Sequence, residues 1–120
     1  MARILAVDDS VSLRRLVGVT LTQAGHEVSE VANGVEGLNA AKKQAFNLVI
    51  SDMNMPIMDG LTFIKNLRSL ISYRFTPILV LTTEMDPEKK RAAKEAGATG
   101  WIVKPFDPEQ LLATIRKVLG

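Results

Sequence analysis

Four short apolar runs in this chain each stop at a charged or hydroxyl residue. Ile4–Val7 runs into Asp8 and Asp9, and Leu48–Ser51 into Asp52. Ile78–Leu81 meets Thr82 and Thr83, and Trp101–Val103 meets Lys104. Continuous runs rich in Ile and Val are what strands buried on both faces carry, so the chain is restricted to a sheet covered on both sides. In an open parallel sheet, ligands collect in the crevice beyond the carboxyl ends of the strands. The four run ends therefore predict one candidate site with three carboxylates, a hydroxyl and an ammonium.

Amphipathic segments fill the intervals. Leu13, Leu16, Val17, Thr20, Leu21 and Ala24 form one helical stripe, capped by Ser10 or Ser12 and stopped by Gly25. Glu27–Val31 alternates instead of running apolar, which predicts an edge strand. Asn33-Gly34 turns the chain into a weaker helix carrying Val35, Leu38, Ala41 and Ala45. A third helix starts near Asp59-Gly60 and offers Leu61, Ile64, Leu67 and Ile71, followed by a loop over 72–76. Asp86-Pro87-Glu88 opens a fourth, with only Ala92, Ala93 and Ala96 for a core, and Gly97 stops it. Asp107-Pro108-Glu109-Gln110 opens the last, with Leu111, Leu112, Ile115, Val118 and Leu119 to bury.

Five strands alternating with five helices predict an α/β domain over residues 1–120, a doubly wound parallel sheet with right-handed crossovers. Alternation leaves the strand order open. An order of 2-1-3-4-5 would set strands one and three side by side and bring Asp8, Asp9 and Asp52 together. The chain has no cysteine, which excludes disulfides and thiolate metal sites, and its net charge is only +2. The basic residues, among them Arg14-Arg15 and Lys89-Lys90-Arg91, fall on helical faces without interleaved aromatics. Nucleic-acid and membrane partners are therefore not expected, and a cytoplasmic location is the default.

Three carboxylates in contact cannot all stay ionised without compensation. Lys104 offsets one charge, and a divalent cation would offset two more. Oxygen-only ligands favour Mg²⁺ or Mn²⁺ over zinc. Such a site, with one carboxylate to spare, suits formation of an acyl phosphate on aspartate. The metal, Lys104 and Thr82 would then face the phosphoryl group.

D-D after strand one, D-M-N-M-P-x-M-D-G from Asp52, T-T-E from Thr82 and K-P-F from Lys104 resemble the receiver domain of two-component response regulators along the whole chain. The likeness is to stand-alone chemotaxis receivers in particular, because the chain ends with helix five and pairs Asn54 with Glu84. The resemblance implies a flavodoxin-like (βα)5 fold of order 2-1-3-4-5. It implies phosphoryl transfer to Asp52 from a histidine kinase, and Mg²⁺ (or Mn²⁺) held by Asp8, Asp9, Asp52 and the backbone carbonyl of Asn54. Lys104 would pair with the phosphoryl oxygens through a cis Lys104–Pro105 segment, and Thr82 with Trp101 would form a switch. Trp101 stands where tyrosine or phenylalanine is usual, and Thr83 where alanine is common. Implied partners are the kinase, a protein target such as a flagellar motor switch protein, and a phosphatase. The implied product is a signalling phosphoprotein, not a turnover enzyme, in monomeric form. A single-domain phosphorelay intermediate is the alternative within the family.

Taken singly, these residues have plainer readings. Asp8-Asp9 could be a turn and helix cap, Lys104 a surface lysine, Trp101 a partly buried aromatic and Thr82 a strand-end β-former. Met53, Met55 and Met58 read as flexible packing, and His26 as a surface histidine. Two other functional classes fit less well. A flavin-phosphate site would be repelled by Asp8-Asp9. An aspartate-based phosphatase would want an acid two residues after its nucleophile, where this chain has Asn54.

Overall fold

The structure, a computed structural model, describes residues 2–83 and 86–120. Strands β1 (Arg3–Val7), β2 (Glu27–Val31), β3 (Leu48–Asp52), β4 (Ile78–Thr82) and β5 (Gly100–Val103) alternate with helices. These are α1 (Val11–Gln23), α2 (Gly34–Lys43), α3 (Gly60–Arg68), α4 (Pro87–Ala96) and α5 (Pro108–Leu119), with a short 3₁₀ turn at Ile71–Tyr73. All strand pairs are parallel and the order is β2-β1-β3-β4-β5, as expected. Glu84, named above beside Asn54, lies outside the described residues. Among those that are described, no helix is long and apolar enough to cross a membrane.

The continuous apolar runs feed two cores because successive side chains leave a strand on opposite faces. Leu5, Val7, Val49, Ile78 and Val80 pack with Phe63, Ile64 and Leu67 of α3 and with Ala93 and Ala96 of α4. Ile4, Ala6, Leu48, Ile50, Leu79 and Leu81 pack on the other side with Val17, Leu21, Leu111 and Ile115. Side-chain caps start every helix: Ser10, Asn33, Asp59, Asp86 and Asp107 each accept a backbone N–H of the first turn. Gly25 and Gly97, in left-handed conformation at φ 94° and 117°, follow α1 and α4.

Three helical stripes differ from the sequence expectation. On α1 the buried residues are Val17, Gly18, Thr20 and Leu21, while Leu16 is 47% exposed and Ala24 lies outside the core. The helix is turned so that Gly18 faces Glu30 of β2, where an added Cβ would lie 2.4 Å from Glu30 Oε2. On α2 the buried face is Gly34, Gly37 and Ala41. Val35 is exposed and Ala45 falls beyond the helix. Here Gly37 lets the ring of Phe63 approach to within 2.8 Å of where a Cβ would sit, so α2 is drawn in on its glycine side.

Helix α3 ends at Arg68, and Ile71, expected on its buried stripe, is exposed. The Arg68 guanidinium donates to the carbonyls of Tyr73, Arg74, Thr76 and Gly97, which folds the segment back before another helical turn can form. Tyr73, inside the expected loop, takes the core position instead. It is almost fully buried, its hydroxyl donates to Ala41 and Gln44 carbonyls, and it accepts from Phe46 N–H.

Candidate functional site

Asp8 follows the last residue of β1, and Asp52 and Thr82 are the last residues of β3 and β4. Because β1 and β3 are neighbours, with Val7 opposite Ser51, Asp8 and Asp52 emerge at one crevice. Carboxylate oxygens of Asp8, Asp9 and Asp52 all lie within 4.8 Å of one another. Lys104 reaches the same point from beyond β5. Its Nζ lies 2.9 Å from Asp52 Oδ1 and 3.9 Å from Asp8 Oδ2. Lys104 N–H donates to the Thr82 carbonyl at 2.9 Å, and the Lys104–Pro105 peptide is cis, as anticipated. The five side chains named from the run ends are thus brought to one end of the sheet.

The acids are not equivalent. Asp8 and Asp52 are buried, whereas Asp9 is exposed. Asp52 Oδ1 accepts both the Lys104 ammonium and the Met53 N–H at 2.8 Å. Asp8 Oδ1 accepts from Ser10 N–H at 2.9 Å, but Asp8 Oδ2 is buried with no hydrogen-bond donor among the described residues. Burial pushes the Asp8 carboxyl above the ordinary carboxylate range, and the Asp52 charge acts in the same sense, against the Ser10 N–H and Lys104. A buried carboxylate oxygen in a three-acid cluster is a set of oxygen ligands that could hold a hard divalent cation.

Gly60 makes this arrangement possible. A Cβ there would stand 2.4 Å from the Asp52 carbonyl oxygen, so only glycine lets the start of α3 press on the end of β3. Asn54 is exposed in the loop after β3. In that loop Ile57 adopts φ 71°, closed by Met58 N–H donating to the Pro56 carbonyl at 2.7 Å. A β-branched residue in the left-handed region is strained, and this one is 81% exposed, so nothing is gained by packing it.

Thr82 is buried at the end of β4. Trp101 lies on the outer edge of the sheet with its ring 5.0 Å below the Lys90 ammonium of α4, on the helix-four side of β5. A cavity of about 10 Å³ lies between Thr82, Ala93, Lys90 and Trp101. One residue beside the site, Arg14, and one at the opposite end of the sheet, His26, make contacts that the sequence did not reveal. Arg14, one of the basic residues expected on helical faces, is only 17% exposed in its side chain and donates to the Asp8 carbonyl at 2.7 Å. His26 is partly buried, with Nδ1 accepting from Ala2 N–H at 3.0 Å.

Comparison with known proteins places the sequence and the fold in one family. The family described as the response regulator receiver domain matches residues 4–116. A chemotaxis protein CheY homolog of Campylobacter jejuni is 39% identical over 120 residues, covering 98% of this chain and 92% of its own. The solved chemotaxis protein CheY4 of Vibrio cholerae is 55% identical with a TM-score of 0.96, covering 98% of each chain. A putative response regulator from Chloroflexus aurantiacus is 34% identical with a TM-score of 0.94, covering 98% of this chain and 97% of its own. The chain belongs to the response regulator receiver family.

Proposed function

We propose that this protein is a phosphorylation-activated response regulator that accepts a phosphoryl group on Asp52 from a histidine kinase and thereby changes its affinity for a protein target. The observation that carries the reading is the Lys104 ammonium at 2.9 Å from Asp52, beside an Asp8 oxygen that is buried without a donor among the described residues. In the transfer, an Asp52 carboxylate oxygen forms a bond to phosphorus as the phosphorus–nitrogen bond of the donor's phosphohistidine breaks. The imidazole leaves with the electron pair and takes up a proton. Lys104 neutralises charge on the phosphoryl oxygens, and the Met53 N–H holds Asp52 Oδ1 in place. Asp8, Asp9, Asp52 and the backbone carbonyl of Asn54 would hold Mg²⁺, with Mn²⁺ able to substitute. When bound, the cation supplies charge neutralisation at the phosphoryl oxygens.

The new acyl phosphate adds charge and acceptor oxygens beside the buried Thr82 hydroxyl. Thr82 then turns toward it, and Trp101, next to the cavity behind Thr82, follows inward. The surface formed by α4, β5 and α5 changes shape, which alters partner affinity. The likeness to proteins described as chemotaxis proteins supports a role in chemotaxis, with a flagellar motor switch protein as target, in the cytoplasm.

The test is labelling with acetyl phosphate and intact-mass spectrometry. One phosphate should be added, only with Mg²⁺ or Mn²⁺ present, and none in Asp52→Asn. Labelling that survives in that variant, or in EDTA, overturns the assignment.

A further inference from the structure

Asp9 differs from its neighbours in what holds it. Asp8 is fixed by Ser10 N–H, and Asp52 by Met53 N–H and Lys104. Among the described residues no hydrogen bond reaches the Asp9 side chain, yet it lies within 4.8 Å of both other carboxylates. Its position must come from the backbone, above all from the Asp8–Asp9 peptide plane. One side chain grips that plane: Arg14 Nη1 donates to the Asp8 carbonyl at 2.7 Å. Arg14 Nε lies 3.6 Å from Glu30 Oε1 on β2. Glu30 in turn lies against the bare backbone of Gly18, in space a Cβ would occupy.

We propose that Arg14 is a positioning residue for the cation site, holding the Asp8–Asp9 peptide so that the Asp9 carboxylate is presented to the metal, with Glu30 and Gly18 as its support. The inference rests on the assignment of Asp8, Asp9 and Asp52 as metal ligands. An arginine beside a cation site would by itself repel the cation. Glu30 neutralises that charge, so the guanidinium acts through its hydrogen bond and not through its field. The geometry suits arginine better than lysine, because one planar group both donates to the Asp8 carbonyl and lies beside the Glu30 carboxylate.

Outer groups that orient metal ligands typically contribute about 10–100-fold to metal affinity. Arg14→Ala should therefore weaken Mn²⁺ binding by about tenfold, measured as the free Mn²⁺ electron paramagnetic resonance signal. Arg14→Lys, which keeps a donor and a charge, should recover part of the loss. Gly18→Ala leaves Arg14 intact but forces Glu30 aside, and should weaken Mn²⁺ binding less than Arg14→Ala does. Thermal melts in EDTA identify which variants are folded. A purely structural arginine would lower the melting temperature and leave Mn²⁺ affinity unchanged. Asp9→Asn separates the two levels of the argument. If Asp9→Asn weakens Mn²⁺ binding while folded Arg14→Ala and Gly18→Ala do not, the positioning role is overturned and the metal site stands. If Asp9→Asn has no effect on Mn²⁺ binding, the metal assignment itself fails.

Discussion

Replacing Asp8 by asparagine should stabilise the protein in the absence of divalent cations. Asp8 sees opposing charges: Lys104 Nζ at 3.9 Å from Oδ2, and Asp52 within 4.8 Å. At an effective dielectric constant of about 20, these are worth roughly 4 kcal/mol of attraction and 3.5 kcal/mol of repulsion. They nearly cancel, so the outcome is decided by desolvation of a carboxylate whose Oδ2 has no donor among the described residues. Leaving such a group unsatisfied costs about 1–3 kcal/mol. Asparagine keeps an oxygen for the Ser10 N–H and puts an amide where Oδ2 was, facing acids that can accept from it. A net gain of about 1–2 kcal/mol follows, or roughly 4–8 °C in melting temperature. The pH dependence has a definite sign. The folded-state pKa of Asp8 is raised above its usual 3.8, so its ionisation costs stability as pH rises through the folded value. The advantage of Asp8→Asn in EDTA should vanish below about pH 4 and grow as pH rises toward neutrality. With Mg²⁺ at a hundred times its dissociation constant the wild type should gain about 2.7 kcal/mol, which the variant forgoes, and the ranking should invert. Urea titrations with EDTA and with Mg²⁺, at two pH values, measure all of this. An Asp8→Asn protein less stable than wild type in EDTA at neutral pH refutes the reasoning.

The remaining expectations address other parts of the molecule. Burial lowers the His26 pKa below 6.5, so the neutral ring's contribution is full above that pH and declines as pH falls through the folded value. Urea midpoints at pH 7.5 and 5.5 should therefore differ more in wild type than in His26→Gln, and equal differences would count against it. Ile57→Asn should stabilise the protein by about 0.5–1 kcal/mol, because asparagine tolerates positive φ and the lost side chain is exposed. No change in the chemical denaturation midpoint would mean that the turn is not strained. The cavity beside Trp101, about 10 Å³, has room for one water and not for an indole, so the ring can enter only if Thr82 or α4 moves. Mg²⁺ with beryllofluoride should reduce iodide quenching of Trp101, and Thr82→Ala should lose most of that protection while Asp52 is still phosphorylated. Identical quenching in both states would make the tryptophan a bystander.

The strands, their parallel arrangement and the polar residues at their ends were legible in the chain, because each depends on near neighbours. A run such as Ile78–Leu81 supplies both faces of a buried strand whatever surrounds it. Asp59, Asp86 and Asp107 cap helices through N–H groups two or three residues away. The resemblance of the four motifs then supplied the strand order, which alternation alone left open.

What only the tertiary structure decided was set by groups distant in sequence. Periodicity gives α1 an apolar stripe, but its rotation is fixed by Glu30 seated against Gly18, and that left Leu16 outside and brought Arg14 in. Asp8 and Asp9 are adjacent and chemically identical. Their difference in burial arises because Asp8 directly follows β1, tied to β2 by its N–H bond to the Val31 carbonyl, while Asp9 lies beyond it. Tyr73 reads as a loop residue until its hydroxyl meets carbonyls some thirty positions away, at Ala41 and Gln44. Local sequence determines which chemical groups stand at the end of the sheet. Long-range packing determines which of them lose water, and a carboxylate's demand for a partner grows as water is lost.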